Sequence, residues 1–470
     1  MMGLATYGYA ASVRNLRELE YCARFLTIVV LLIIPFTVLS IKLWGNVVSE
    51  IVDAFVVVMI YWLLVPSISA LIYWYTVGIN GVDAFFESLS GFSGTGLSVL
   101  YRPEDYPYVI LLWRALTQWI GELSVVVFSG ALLPHIHRVL SRVYIAERGV
   151  KIAPTILSTT RRMLGIYVFL TTLGTIMLMY SGMGFVDAVA HSMTGIATGG
   201  MSTNSESITY WYRMYGIGVL VTSSIIMALG ALNFIDLYNL TRGRIKEFVK
   251  SIEVRWFIYV FALLGFSIVI LTLAERGLDT EYITVALYNM LSGLTTTGFQ
   301  VGSVVDYPDT IKTVIIIAMA IGGATFSTAG GIKLERIAIA FKSIMWSITR
   351  PFLPEKAYIA KRLNNKVLED SDIASVYAYI TLYIVVAITA SVMLYVTLCI
   401  HDYVWSRSIV DAVFEVISAL SCVGLSTGIT SAMMPLESKV ILMTCMYLGR
   451  LEFTPVYVVA AHLYKRRLTL

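Results

Sequence analysis

Charge is scarce in this 470-residue chain: Asp, Glu, Lys and Arg make up 14% of it, against 58% hydrophobic residues and a mean hydropathy of +0.78. That balance excludes a soluble globular domain and points to a polytopic membrane protein. Cysteine is nearly as sparse. Cys22, Cys399, Cys422 and Cys445 make no CxxC and no paired framework, so neither a disulfide scaffold nor a zinc site is expected, and the four read as packing residues. Enzyme signatures are missing too: there is no HExxH, "GFSGT" is not GxSxG, and His135 and His137 fall on a basic linker. No GxGxxG unit occurs, and "STAGGIK" lacks a full phosphate-loop pattern. The first 21 residues lack the basic start, short apolar core and cleavage site of a secretory leader, so no cleaved peptide is expected. Neither an enzyme nor a nucleic-acid binder is indicated.

Long apolar runs are what the chain has in plenty. A crossing of the hydrocarbon core takes about 20 apolar residues, and such runs recur at roughly 22–42, 52–77, 107–133, 163–181, 214–239, 256–274, 312–345, 375–400 and 438–463, about nine spans.

Between them a pattern repeats. "DAFFESLSGFSGTGLS" (Asp83–Ser98), "DAVAHSMTGIATGGMS" (Asp187–Ser202), "VALYNMLSGLTTTGFQ" (Val285–Gln300) and "DAVFEVISALSCVGLS" (Asp411–Ser426) align without a gap. A glycine recurs at Gly96, Gly200, Gly298 and Gly424, and Gly or Ala five residues earlier at Gly91, Gly195, Gly293 and Ala419. Gly200 rather than Gly199 is the aligned glycine, because only that choice keeps the five-residue spacing. Four ungapped matches define an internal fourfold repeat. About a dozen moderately apolar residues before each glycine segment are too few to cross. They suit a half-length helix that dips in, followed by extended backbone that climbs out. Such backbone is tolerated at membrane depth only where protein or water satisfies it, so four copies imply a shared pore.

Charge tests that topology. If each unit is span, re-entrant segment, span, all linkers between units lie on one side and should be basic. They are: Arg138, Arg142, Arg148, Lys151, Arg161 and Arg162 in the first, Arg242, Arg244, Lys246, Lys250 and Arg255 in the second, and eight between Lys333 and Lys366 in the third. The tail adds Lys465, Arg466 and Arg467, while the opposite loops hold Arg102, Arg213, Arg276, Lys312, Arg407 and Lys439. Acidic residues on that opposite side, among them Glu104, Asp105, Glu206 and Asp309, could concentrate cations at an outer mouth, or could simply be polar loop. Inverted repeats of another transporter class would place alternate linkers on opposite sides, which the charges oppose.

Extended segments around one axis offer backbone carbonyls that can replace the hydration shell of a monovalent cation. The pattern resembles the Trk/Ktr/HKT superfamily of potassium transporters, TrkH branch, over about residues 50–463. "LWRALTQWIG" (Leu112–Gly121), "ALGALNF" (Ala228–Phe234), "AIGGATFSTAGGIKLER" (Ala320–Arg336) and "YLGRLEF" (Tyr447–Phe453) add to the likeness. The resemblance implies an all-α polytopic membrane protein, four tandem span–pore-helix–span units around a central pore with about one extra N-terminal helix. It implies K⁺-coordinating strands at Ser93, Gly94, Thr95 and Gly96; Ala197, Thr198, Gly199 and Gly200; Thr295, Thr296, Thr297 and Gly298; and Ser421, Cys422, Val423 and Gly424. In the family, Ser in place of the first filter glycine goes with sodium, so Gly96 favours potassium; a sodium or non-selective cation transporter of the same fold is the alternative. An intramembrane gate loop is implied at 322–331, with Gly322, Gly323, Ser327, Thr328, Gly330, Gly331 and the following Lys333. Arg450 is implied to face the pore below the filter; the alternative pairs it with Glu452 or Glu122 as structure alone. Also implied are K⁺ as the transported ion with no bound cofactor, membrane lipid, a homodimer, and a cytoplasmic RCK-type nucleotide-binding regulator. The expected division is 1–49, 50–134, 135–240, 241–350 and 351–470, in a cell membrane with cytoplasmic linkers.

Two features depart from the family. Glu122 and Ser124 stand where small residues are usual, and Glu122 could pair with Arg114 two helical turns away. Only one clear span precedes the first unit where two are usual, which leaves residues 1–21 or the 22–42 helix with another role, such as lying at the interface.

Overall fold

The computed structural model describes residues 6, 16–42, 51–123, 156–354, 361–363, 366–403 and 408–468. Each repeat begins with a long helix: Ile51–Val77, Ile156–Tyr180, Ile252–Arg276 and Asp370–Ile400. Among the described residues these four are long and apolar enough to cross a membrane. Only about a third or less of each is buried (28–33%), so they form an outer wall whose remaining apolar surface suits lipid.

A short helix follows in every unit: Gly81–Ser93, Phe185–Ile196, Thr280–Leu294 and Ile409–Leu420. At 12 to 15 residues and 1.5 Å per residue they span about 20 Å, short of the ~30 Å core. Three of the four starts are built from side chains that cap orphan amides; Phe185–Ile196 begins after Gly184 without one. Asn80 accepts from Asp83 N–H, Asp279 from Tyr282 N–H, and Ser408 forms a reciprocal capping box with Asp411.

The second helix of each unit, Tyr108–Leu123, Ile217–Ala231, Asp309–Ile321 and Leu436–Arg450, packs on the short helix of its own unit and on that of the next, the fourth closing on the first. Four pseudo-equivalent units therefore surround one axis. The apolar runs 214–239 and 438–463 read as continuous spans and 312–345 as one interrupted by a loop, and all three break near the same register. In unit 2 the chain resumes as Phe234–Thr241, bent by 113°; in unit 3 as Leu334–Thr349; in unit 4 as Thr454–Leu468. Of these breaks, the sequence indicated the one at "GGATFSTAGG". At the unit 2 break hydropathy stays high, so a window average passes over it; at the unit 4 break Arg450 and Glu452 lower it, but the apolar residues on either side carry the run across.

The N-terminal helix Leu16–Lys42 shares a buried cluster through Cys22 and Phe25 with Ile72 and Tyr73 of the first long helix and with Val109 and Ile110. A two-residue antiparallel pair, Arg362–Leu363 with Lys366–Val367, sits in the third linker. Ser124, His135, His137, most of the first linker's basic residues and Arg407 lie outside the described residues.

Candidate functional site

The four short helices end where the glycine segments begin, and each segment folds its amides back onto its own helix. Gly94 N–H donates to Gly91 O and Thr95 N–H to Ser90 O; Thr198 donates to Gly195 and Gly199 to Thr194; Thr296 to Gly293 and Thr297 to Ser292; Cys422 to Ala419 and Val423 to Ser418, all at 2.8–3.2 Å. Gly298 and Gly424 N–H reach the hydroxyls of Ser292 and Ser418 at 3.0 Å. The donors are thus consumed by the helix ends. Of the sixteen carbonyls in 93–96, 197–200, 295–298 and 421–424, only Gly199's accepts a hydrogen bond from a described residue, Gln118 Nε2 at 2.5 Å.

The backbone alternates in hand. The second residue of each segment has positive φ (Gly94 +73°, Thr198 +50°, Thr296 +52°, Cys422 +53°), and so does the fourth (Gly96 +83°, Gly200 +67°, Gly298 +89°, Gly424 +93°). Three non-glycine residues in the left-handed region at one register are held there against about 1–2 kcal/mol each, a strain typical of functional backbone.

The fourth-position glycines close a ring. A Cβ on Gly96 would lie 2.0 Å from the Gly199 carbonyl oxygen, one on Gly200 2.0 Å from that of Thr297, one on Gly298 2.0 Å from that of Val423, and one on Gly424 2.4 Å from that of Thr95. Each glycine thus abuts the carbonyl just before the glycine of the next segment, and the cycle returns to its start. Gly200, not Gly199, holds the equivalent place.

A second column behind the ring escaped sequence reasoning. Nine residues before each ring glycine stands a buried polar side chain: Glu87, His191, Asn289 and Glu415. Each ties its short helix to the outgoing strand. Glu87 accepts from Ser98 Oγ and Val99 N–H, His191 Nε2 pairs with Ser202 Oγ, Asn289 bonds Val301 N–H and C=O, and Glu415 accepts from Ser426 Oγ and Thr427 N–H. The signal was a polar residue at constant offset in an apolar stretch, hidden because its identity changes from unit to unit.

On the side where the helices end, the segment 322–333 crosses beneath the ring. The third unit's second helix stops at Ile321 and restarts at Leu334. Thr328 Oγ1 donates to Ile196 O (3.0 Å) and Gly230 O (2.9 Å) and receives Thr198 Oγ1 (3.1 Å). Gly330 N–H donates to Thr296 Oγ1 (2.7 Å), and a Cβ on Gly330 would lie 2.0 Å from Ser421 O. The segment therefore touches three of the four glycine segments. Gly322 and Gly331 take positive φ and stack against one another, Gly323 abuts Ala231, and Ser327 Oγ bonds Ala324 O at 2.5 Å. Lys333 Nζ bonds Ala329 O and lies 3.7 Å from Glu452 Oε1, which also carries Arg336 on its other oxygen at 2.6 Å. Glu253 accepts from Thr325 N–H (2.5 Å) and Asn233 Nδ2 (2.7 Å), tying the segment to the break in unit 2.

The charged pairs depart from expectation at Arg114 and at two lysines, while Arg450 takes Glu122, one of the two partners the sequence offered for it. Arg114 does not meet Glu122: its Nε donates to Glu87 Oε1 at 2.7 Å and its Nη1 to Ser202 O at 2.8 Å. Residues eight apart on a helix are about 12 Å apart along the axis, too far for direct contact. Glu122 Oε2 instead meets Arg450 Nη1 at 2.6 Å, and Arg450 Nη2 meets Gly121 O at 2.5 Å, with its guanidinium 4.5 Å from the centre of the Trp62 ring. Lys312 and Lys439, counted with the outer loops, are buried in helices. Lys312 pairs with Asp411 at 2.8 Å and Lys439 with Asp83 at 2.6 Å, each joining one unit's second helix to the next unit's short helix. Asp187, with no lysine opposite among the described residues, takes Thr203 Oγ1 at 2.6 Å.

These features define a class: an all-helical membrane protein of four span–short-helix–span units whose glycine segments close on one axis. The chain belongs to the TrkH family of cation transport proteins, whose family model matches residues 23–467. It is 29% identical over 411 residues to an uncharacterized cation transporter of Methanocaldococcus jannaschii (87% of this chain, 82% of that one). It is 29% identical over 425 residues to the Trk system potassium uptake protein TrkH of Salmonella typhimurium (86% of each). The crystal structure of the potassium transporter TrkH from Vibrio parahaemolyticus shares the fold, with a TM-score of 0.81 over 97% of this chain and 94% of that one at 24% identity.

Proposed function

We propose that this protein takes up potassium through a filter made of the backbone carbonyls of 93–96, 197–200, 295–298 and 421–424. One observation carries the reading: the closed cycle of glycine–carbonyl contacts, whose amides are already bonded to the helix ends. A ring of carbonyls without donors can replace the hydration shell of a bare monovalent cation, and four helix C-termini add partial negative charge. Relatives named as potassium uptake proteins support K⁺ as the ion. In this reading the units run 50–134, 135–240, 241–350 and 351–470, behind the N-terminal segment 1–49. The loop 322–331 with Lys333 and Arg450 gates passage on the side facing the basic linkers, which is the cytoplasm. The protein works in the cell membrane as a homodimer with a separate cytoplasmic RCK-type nucleotide-binding regulator.

The test is growth of a potassium-uptake-deficient host at low K⁺ with the regulator supplied, comparing the native protein with Gly96→Ser. Growth with the native protein, and impaired growth with increased Na⁺ entry for the variant, is expected. Equal support of growth by both, with equal Na⁺ flux, would overturn the assignment of Gly96.

A further inference from the structure

Glu122 and Arg450 occupy the same register in neighbouring units. Each follows a glycine, Gly121 or Gly449, whose Cβ would lie 2.1 Å from the carbonyl of Phe92 or Leu420 at the end of a short helix. The corresponding residues of units 2 and 3 are Ala231 and Gly323, so this level carries charge only in units 1 and 4, of opposite sign. Glu122 is also fitted to the ring: its Oε1 lies 1.7 Å from where a Cβ on Gly94 would be. The other three segments have Thr198, Thr296 and Cys422 at Gly94's position. The carboxylate fills a space that their side chains take up elsewhere. Its side chain is 4% exposed and that of Arg450 13%.

We propose that Glu122 is a permeation-determining residue: its carboxylate neutralises Arg450 beneath the first glycine segment, so that a cation passing the ring meets a paired charge instead of a bare guanidinium. An unpaired arginine in a pore is a barrier to cations, and an uncompensated buried charge acts through weak screening. Contacts to Gly121 O and Trp62 fix the guanidinium, so without Glu122 its charge stays where it is. The inference rests on the filter reading above.

The experiment compares K⁺ flux in proteoliposomes for the native protein, Glu122→Gln, Arg450→Gln and the double variant, with thermal unfolding as the check on folding. A unit charge at a side-chain length or two, at effective protein screening, is worth on the order of ten-fold in flux. Glu122→Gln should lose about that much and conduct unequally in the two directions, and the double variant should regain most of it. In Arg450→Gln the unpaired carboxylate should tighten block by Mg²⁺ added on the linker side by a similar factor. Native flux in Glu122→Gln, or a double variant as slow as Glu122→Gln, overturns the proposal. Should Glu122→Gln not fold, Mg²⁺ block of Arg450→Gln decides: tightened block supports the proposal and unchanged block overturns it. Absence of selective K⁺ flux in the native protein would instead refute the filter reading.

Discussion

Replacing Gly298 by alanine tests the ring where it has least tolerance. Its φ of +89° costs an L-residue about 1–2 kcal/mol. The added methyl would lie 2.0 Å from Val423 O and 3.1 Å from Gly424 Cα, both backbone atoms, so no side-chain rotation relieves it. Val423 must retreat by about 1 Å to reach an ordinary C···O separation. The damage thus falls on the neighbouring unit's carbonyl. Even the conformational term alone, at 1.4 kcal/mol per decade, leaves about ten-fold fewer intact rings. Flux of K⁺ into proteoliposomes should fall by at least that factor while the protein still purifies as a folded species. Gly165→Ala is the control, because nothing lies within 4 Å of its Cβ and its φ is ordinary; a helical glycine-to-alanine change should leave flux unchanged. Native flux and native K⁺/Na⁺ preference in Gly298→Ala would refute the ring.

Other outcomes follow from the same contacts. Lys439→Met strands Asp83 inside the protein and should cost about 3–5 kcal/mol, read as a lower thermal midpoint that a second change, Asp83→Asn, partly restores. Thr328→Val leaves the buried Ile196 and Gly230 carbonyls without their hydroxyl partner and should cost about 1–3 kcal/mol, seen as faster amide exchange at Ala324 and Thr328; unchanged exchange would show that the hydroxyl does not anchor the loop. Glu104 links the first two units outside the membrane. Partial burial pushes its carboxyl up, but hydrogen bonds from its own backbone N–H, from Ser205 and from Arg102 outweigh this and hold it below the usual range. A lowered carboxyl stabilises above the ordinary carboxylate range, and that stabilisation is lost as pH falls through the lowered value. The native protein should therefore lose its thermal advantage over Glu104→Gln on acidification; a gap constant with pH would contradict the sign.

Much of this was legible in the sequence because a fourfold repeat supplies its own alignment. The spacing of Gly96, Gly200, Gly298 and Gly424 fixes which residues stand together, and the side-by-side contacts of the four follow the same register. Hydropathy located the long helices but not the breaks after Ala231 and Arg450: Asn233 in "ALNF" is a single polar residue in apolar surroundings, and Arg450 and Glu452 in "RLEF" are two charges inside an otherwise apolar run. Partner choice was the least legible. Arg114 and Glu122 share one helix and invite pairing, yet each is satisfied from another element: Glu122 by Arg450, a pairing the sequence offered only as an alternative, and Arg114 by Glu87, which it did not suggest. Lys312 and Lys439 resemble loop residues by their place at the start of a span, and only the neighbouring unit's aspartate explains their burial.

The most direct measurement is cation flux into proteoliposomes holding the purified native protein, with K⁺ and Na⁺ supplied in turn at equal concentration. The ring requires K⁺ to enter much faster than Na⁺, with the preference lost in Gly96→Ser. Equal flux of the two ions through the native protein would contradict a carbonyl filter built from these four segments.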